Sequence, residues 1–269
     1  MRQPVKHARD DLAGIPSGGS STVHRAVALL EALADAPAEG TGVSELSRRI
    51  GANRSTVYRI IGALRAYGYV RDGAQPGSVR LGFRIVELGE RLLGQLDIRR
   101  IAAPHLQELA VATGETCHLA VLDGKEIVYA DKAESEQSIR LFSTPGMRMP
   151  LYCTSLGKAF LSAMSPASRA ELLDGVVLEP RTHHTVTDRA VLDREIDAIR
   201  QRGWSADRGE NEIGTRCVGA AILDRDDQPV AAISASGPET RMTEENIERC
   251  GKLVLDAAER ISRELGRGR

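Results

Sequence analysis

The chain has 269 residues, 36 Lys/Arg against 37 Asp/Glu, and a hydrophobic fraction of 42 %, enough for two domains with their own cores. No run approaches the roughly 18 apolar residues of a membrane span, and the N-terminal stretch lacks the apolar segment of a signal peptide. Cys117, Cys153, Cys217 and Cys250 lie far apart, with no CxxC pair and no Cys/His cluster at zinc spacing, so the expectation is a cytoplasmic, reduced protein without structural metal.

Charge is unevenly placed. Residues 1–96 carry 13 Lys/Arg against 9 Asp/Glu, and residues 97–269 carry 23 against 28. A basic first part beside an acidic remainder suggests that only the first part meets a polyanion. Aromatic residues make up 3 % of the chain, too few for a platform that stacks single-stranded bases.

In chain order, residues 1–19 are polar and end on Pro16, Ser17, Gly18 and Gly19. They read as a disordered arm. Ser20, Ser21 and Thr22 offer caps for a first helix through about Ala34, with Ala26, Leu30 and Leu33 as its inner stripe. Pro37 to Gly42 reads as a loop. Val43, Leu46 and Ile50 then fall on one face of a short helix, and Gly51 stands where a helix ends in a left-handed residue.

Asn53 can cap the next helix. Val57, Ile60, Ile61 and Leu64 bury one stripe of it, so Ser55, Arg59, Gly62 and Ala66 point outward, flanked by Thr56 and Tyr58. Small, polar and cationic side chains suit a helix that enters the major groove of DNA. Arg48, Arg49, Arg54, Arg59, Arg65 and Arg71 lie between Glu45 and Asp72 with no acid among them. Such permanently charged forks supply phosphate contacts. Tyr67 to Val70 and Val79 to Leu81, joined by a tip at Gly73–Gly77, look like the two strands of a wing. An ordinary three-helix subdomain with an Arg-rich solvated face fits the helices but not the wing.

Phe83 to Leu96 reads as a linker helix with two apolar stripes, Ile85/Leu88/Leu92/Leu96 and Val86/Leu93. That surplus meets either a second copy of the chain or the domain that follows. Asp97 to Thr113 forms another helix. Cys117–Leu122 and Glu126–Ala130 flank Asp123–Gly124, a hairpin signal, and Ile139–Phe142 reads as a third strand. Ser143 to Leu151 is a loop in which Met147 and Met149 offer an adaptable apolar wall. Thr154 or Ser155 caps a helix through Ala163. A further helix runs over Ala190–Gly203, a second hairpin joins Cys217–Leu223 to Val230–Ala235, and a last helix ends by Leu265. Helices on an antiparallel sheet make an α+β domain.

Three pieces of this domain could converge on a ligand. The helix start at Ser155–Leu156 offers free N–H groups that favour a carboxylate. Asp207 lies in the loop after Trp204. Cys217 sits on one strand of the second hairpin, and Ser234 and Ser236, two apart, face one side of the other. Each has a duller reading on its own: a cap, a turn residue, a small buried hydrophobe.

Four segments, SELSRRIGANRSTVYRIIGAL, YCTSLGKAFLSA, RGWSADRGENEIGTRCVGAAILD and PVAAISASGP, resemble the IclR family of bacterial transcriptional regulators in content, order and spacing. The resemblance spans Val23 to Leu265. It implies a winged helix-turn-helix over 20–82, a linker helix over 83–97 and a GAF-like effector-binding domain over 98–269, after the polar arm over 1–19. It also implies double-stranded operator DNA as a partner, read by a homodimer or homotetramer that a small, carboxylate-bearing effector controls, with repression the favoured outcome. No cofactor, metal or catalytic residue is expected. Arg54, Ser55, Thr56, Tyr58, Arg59 and Arg65 are the candidate DNA contacts. Met149, Ser155, Leu156, Asp207, Cys217, Ser234 and Ser236 are the effector pocket carried over from the family. Ser155–Leu156 departs from the Gly–Ala of members that bind small α-keto acids, and Leu156 would reshape the pocket floor. The alternative reading is a GAF-type thiol redox enzyme using Cys117, Cys153 and Cys217, although no convincing base stands beside any of them.

Overall fold

The chain is described here from a computed structural model, over residues 21–95, 97–137 and 143–268. The expected arm over 1–19, the expected strand over 139–142 and the stripe position Leu96 lie outside the described residues. The chain divides into two compact units between Leu92 and Leu93.

The first unit holds helices α1 (Ser21–Ala34), α2 (Val43–Arg49) and α3 (Arg54–Ala66) and strands β1 (Thr41–Gly42), β2 (Val70–Asp72) and β3 (Ser78–Leu81). Its core gathers Leu29 and Leu33 of α1, Val43 and Leu46 of α2, Val57, Ile60 and Ile61 of α3, and Val70 and Val79 of the strands. Leu29 is the fully buried residue of α1, whereas the expected Ala26 and Leu30 only pack against this cluster. Gly51 adopts φ +60°, the left-handed turn between α2 and α3 that a side chain would strain. Asn53 caps α3 by accepting the Thr56 backbone N–H at 2.9 Å. The wing is a three-stranded antiparallel sheet in the order β1-β3-β2. Its third member, β1, falls in the expected loop over 37–42. Two residues are too few to carry a period, and only the free edge of β3 makes them a strand.

Helix α4 (Arg84–Gly94) begins one residue later than expected, ends short of residue 97, and buries none of its residues. Phe83, Val86 and Leu92 are 65, 58 and 62 % exposed.

The second unit contains α5 (Asp97–Thr113), β4 (Thr116–Asp123), β5 (Glu126–Ala133), β6 (Arg148–Pro150), α6 (Ser155–Ala163), α7 (Pro166–Leu172), α8 (Arg189–Arg202), β7 (Ser205–Arg208), β8 (Thr215–Leu223), β9 (Pro229–Pro238) and α9 (Glu244–Glu264). The described strands form one antiparallel sheet in the order β6-β5-β4-β9-β8-β7. Pairing of β4 with β9 joins the two hairpins at the centre. The alternation of side chains then divides the sheet into two faces. One face packs Cys117, Leu119, Val218, Ala220, Ile233 and Ala235 against α5 and α9. On the other lies α6, which contacts β7, β8 and β9 and is backed by α8.

Two expectations change here. Met149 belongs to edge strand β6, where it pairs opposite Ile127, instead of lying in a loop. Asp207 belongs to edge strand β7, where it pairs opposite Cys217, not in a loop after Trp204. Each strand is only three or four residues long and exists because a longer neighbour presents a free edge. Helix α7, capped by Ser165 through the Ser168 N–H, was not read in the sequence at all.

Candidate functional site

On α3, Arg54, Ser55, Tyr58, Arg59 and Arg65 are exposed and Thr56 is half-buried. The acids that bound the arginine run in sequence take three of its members in space. Glu45 pairs with Arg48 and with Arg49 at 2.8 Å, and Asp72 pairs with Arg65 at 2.6 Å. Arg54 donates to Ser44 Oγ at 2.8 Å. Arg71 lies 4.3 Å over the Phe83 ring and donates to the Leu81 carbonyl. Arg59 has no hydrogen bond or ion pair among the described residues, so its charge is free on the outer face of α3.

In the second unit the seven residues assigned to an effector pocket line one cavity of about 60 Å³. That is room for a compact molecule, far below the roughly 300–1,000 Å³ of drug-sized sites. Two adjacent rungs of the sheet floor it. Asp207, Cys217, Ser236 and Thr116 are successive partners across β7, β8, β9 and β4, and Ser205, Gly219, Ser234 and His118 make the next rung. Gly219 is the gap in that second rung. A Cβ there would stand 2.9 Å from the Ser155 carbonyl carbon, so the missing side chain lets the start of α6 settle on the sheet. Ser205 Oγ donates to that same Ser155 carbonyl. Thr154 caps α6 by accepting the Gly157 N–H at 3.1 Å, which leaves the earlier N–H groups of this helix without an intrahelical acceptor. Gly219→Ala is expected to cost about 1–3 kcal/mol of stability through overpacking; an unchanged urea midpoint would show that α6 moves freely.

Sequence reasoning did not assign His118, Tyr129, Ser143, Asn211, Glu212 or Thr215, which also line the cavity. His118 had a signal, since it faces away from Cys117 on β4, but its place beside Ser234 depends on the β4–β9 pairing. Beside the cavity, between α6, α8 and the end of β7, lies a charged network that the motifs did not expose. Lys158, fully buried on α6, donates to Glu195 of α8 at 2.8 Å and to Glu210. The Glu210 N–H in turn donates to Asp207 Oδ1 at 2.7 Å. Burial alone would lower the pKa of Lys158, but Glu210 and Glu195 hold it above the usual lysine value.

Burial pushes Asp207 up to about 6 and Glu210 up to about 7, against the opposing pull of backbone N–H groups on Asp207 and of Lys158 on Glu210. In the unfolded chain both ionise near 3.8 and 4.5. The folded state therefore binds more protons between about pH 4 and 7, and the stability these groups contribute is lost as pH rises through that window. His118, lowered from 6.5 to about 4, acts in the opposite sense below 6.5, so urea midpoints are expected to fall from pH 6.5 to pH 8; a rise over that range would contradict the raised Glu210.

The thiols do not support redox chemistry. Burial pushes Cys117 and Cys153 up to about 12 and raises Cys217 as well, so none is a thiolate near neutrality. Cys117 faces the α5/α9 core and not the cavity that holds Cys217. Among the described residues no group of three or more His, Cys, Asp or Glu could hold a metal ion, and no helix is long and apolar enough to cross a membrane.

A winged helix-turn-helix in one unit and a small polar cavity on the sheet of the other are the parts of a DNA-binding transcriptional regulator with a small-molecule site. Family models agree in both halves: residues 22–73 match the IclR helix-turn-helix domain, and residues 90–263 match the bacterial transcriptional regulator IclR C-terminal domain. The chain belongs to the IclR family. It is 33 % identical to the HTH-type transcriptional regulator KdgR of Escherichia coli K12, over 96 % of this chain and 97 % of that one. Among solved structures it resembles the Thermotoga maritima IclR (39 % identity, TM-score 0.79, 91 % of this chain and 98 % of that one). It also resembles an IclR homolog from Microbacterium hydrocarbonoxydans complexed with 4-hydroxybenzoate (26 % identity, TM-score 0.76, 91 % and 98 %). These relatives are regulators and not enzymes, which overturns the thiol-enzyme alternative.

Proposed function

We propose that this regulator binds a palindromic operator as a dimer or tetramer, acting in the cytoplasm. A small organic acid in the second unit would change its DNA affinity or oligomeric state. Ser55, Thr56, Tyr58 and Arg59 read base edges or adjacent phosphates, while Arg54 and Arg65 position α3 on the backbone. The domain limits proposed for these roles are 20–82 for DNA, 83–97 for the linker and 98–269 for the effector.

The observation that carries the effector reading is the convergence of Met149, Ser155, Leu156, Asp207, Cys217, Ser234 and Ser236, from five separate elements, on one buried cavity. The start of α6 offers N–H groups to a carboxylate. The relative complexed with 4-hydroxybenzoate, itself an organic acid, supports this class of ligand. The exposed Phe83, Val86 and Leu92 of the linker favour burial against a second copy, which places two α3 helices on two half-sites. Effector binding then acts by population shift, favouring one arrangement of the paired linkers.

The test is an anisotropy titration against DNA flanking the protein's own gene, with scrambled duplex as control, at two salt concentrations. Specific binding tighter than the control at physiological salt is expected. Equal, weak and steeply salt-dependent binding to both duplexes would reduce the reading to a basic surface.

A further inference from the structure

The cavity contains two buried polar atoms that have no hydrogen-bond partner among the described residues. Ser234 Oγ has none, and Ser234 is 0 % exposed. His118 Nδ1 has none either, and His118 is 1 % exposed. The two residues stand directly opposite each other across the β9–β4 pairing, and both line the cavity. His118 is held firmly. Its ring stacks on Tyr129 with centroids 4.7 Å apart and planes 17° from parallel, and its Nε2 pairs with Ser143 Oγ at 2.8 Å. An unmet buried donor or acceptor costs stability and persists where something else meets it. Two such atoms on opposed residues of one rung, both lining the cavity, are a place prepared for one more polar atom.

We propose that His118 is a specificity-determining residue of the effector site, and that its Nδ1 and Ser234 Oγ together hold an uncharged oxygen, a hydroxyl or carbonyl, of the bound acid. This rests on the organic-acid reading of the cavity. Burial, helped by the charge of Lys132, lowers His118 to about 4, so near neutrality it is a neutral donor or acceptor and no counter-ion for a carboxylate. The acid's charged end is left to the N–H groups at the start of α6. A hydroxyl can accept from one of the two atoms and donate to the other, and a carbonyl can accept from both.

The test uses the full chain and melting midpoints, with lactate and propanoate as probes that differ by one hydroxyl. Without acid, Ser234→Ala is expected to melt higher than wild type, by roughly 2–4 °C, because only an unmet hydroxyl is removed. His118→Gln keeps an atom near Nε2 and loses Nδ1, whereas His118→Asn does the reverse; His118→Gln should therefore be the more stable of the two. With acid, lactate should raise the wild-type midpoint more than propanoate does. That difference should persist in His118→Asn and vanish in His118→Gln. A lower midpoint for Ser234→Ala, or a less stable His118→Gln, would reveal a partner within the protein, ordered water included, and overturn the proposal. A lactate preference that survives in His118→Gln would remove His118 alone. A wild type indifferent to both acids would remove the organic-acid reading of the cavity and the proposal with it.

Discussion

Lys158→Met is expected to destabilise the protein by about 3–5 kcal/mol at pH 8, because it removes one partner from a buried ion pair and strands the other. Methionine fills the space of the lysine stem but leaves Glu195 and Glu210 facing each other without the ammonium that separates them. Glu210 already takes up a proton near pH 7 with Lys158 present. Without Lys158 it takes one up at still higher pH, so the penalty is greatest where it must ionise. The gap between variant and wild type is therefore expected to widen from pH 6 to pH 8. Urea unfolding followed by Trp204, the one tryptophan of the chain, reads this directly. A loss that is small, or equal at both pH values, would mean that the network contributes little beyond packing. The effect should also reach the cavity, because Glu210 fixes Asp207 through its backbone N–H while Lys158 is rooted in α6, the opposite wall.

Arg59→Ala is expected to weaken operator binding by about 10- to 100-fold, the worth of a good base contact of roughly 1–3 kcal/mol. Fold and melting midpoint should be unchanged, since Arg59 is exposed and makes no hydrogen bond or ion pair among the described residues. The same variant measured at several salt concentrations separates two roles. Loss of a base contact flattens discrimination between operator and scrambled duplex, whereas loss of a phosphate contact weakens both alike and reduces the salt slope by about one. Unchanged affinity at matched salt would remove Arg59 from the interface. Arg65→Ala is the natural companion: its pairing with Asp72 predicts a smaller loss than Arg59→Ala.

Much of this architecture was legible because local periods and caps agree with the fold. The buried stripe of α3, its Asn53 cap, the positive φ at Gly51, α5 over Asp97–Thr113 and both long hairpins follow from spacing and turn chemistry within a few residues of each position. The carried-over pocket residues were legible for a different reason. All but Met149, which stands just before one of them, lie inside motifs whose order and spacing mark the family, and no local rule distinguishes Ser234 from any other small strand residue.

The sequence by itself determined the elements that are long enough to show a period, the faces they bury, and the uneven charge that separates a DNA-facing half from the rest. Tertiary structure alone decided the short edge strands β1, β6 and β7, which form only where a longer strand offers unpaired N–H and C=O groups. It also decided that Asp72 claims Arg65 across the turn after α3, whereas Glu45 takes Arg48 and Arg49 by the i,i+3 and i,i+4 spacing within α2. The β4–β9 pairing set His118 beside Ser234, and the packing of α6 against α8 buried Lys158 between the carboxylates of Glu195 and Glu210. These contacts join residues 37 to 116 positions apart. At that separation no local propensity acts, and burial with satisfied hydrogen bonding selects the partner.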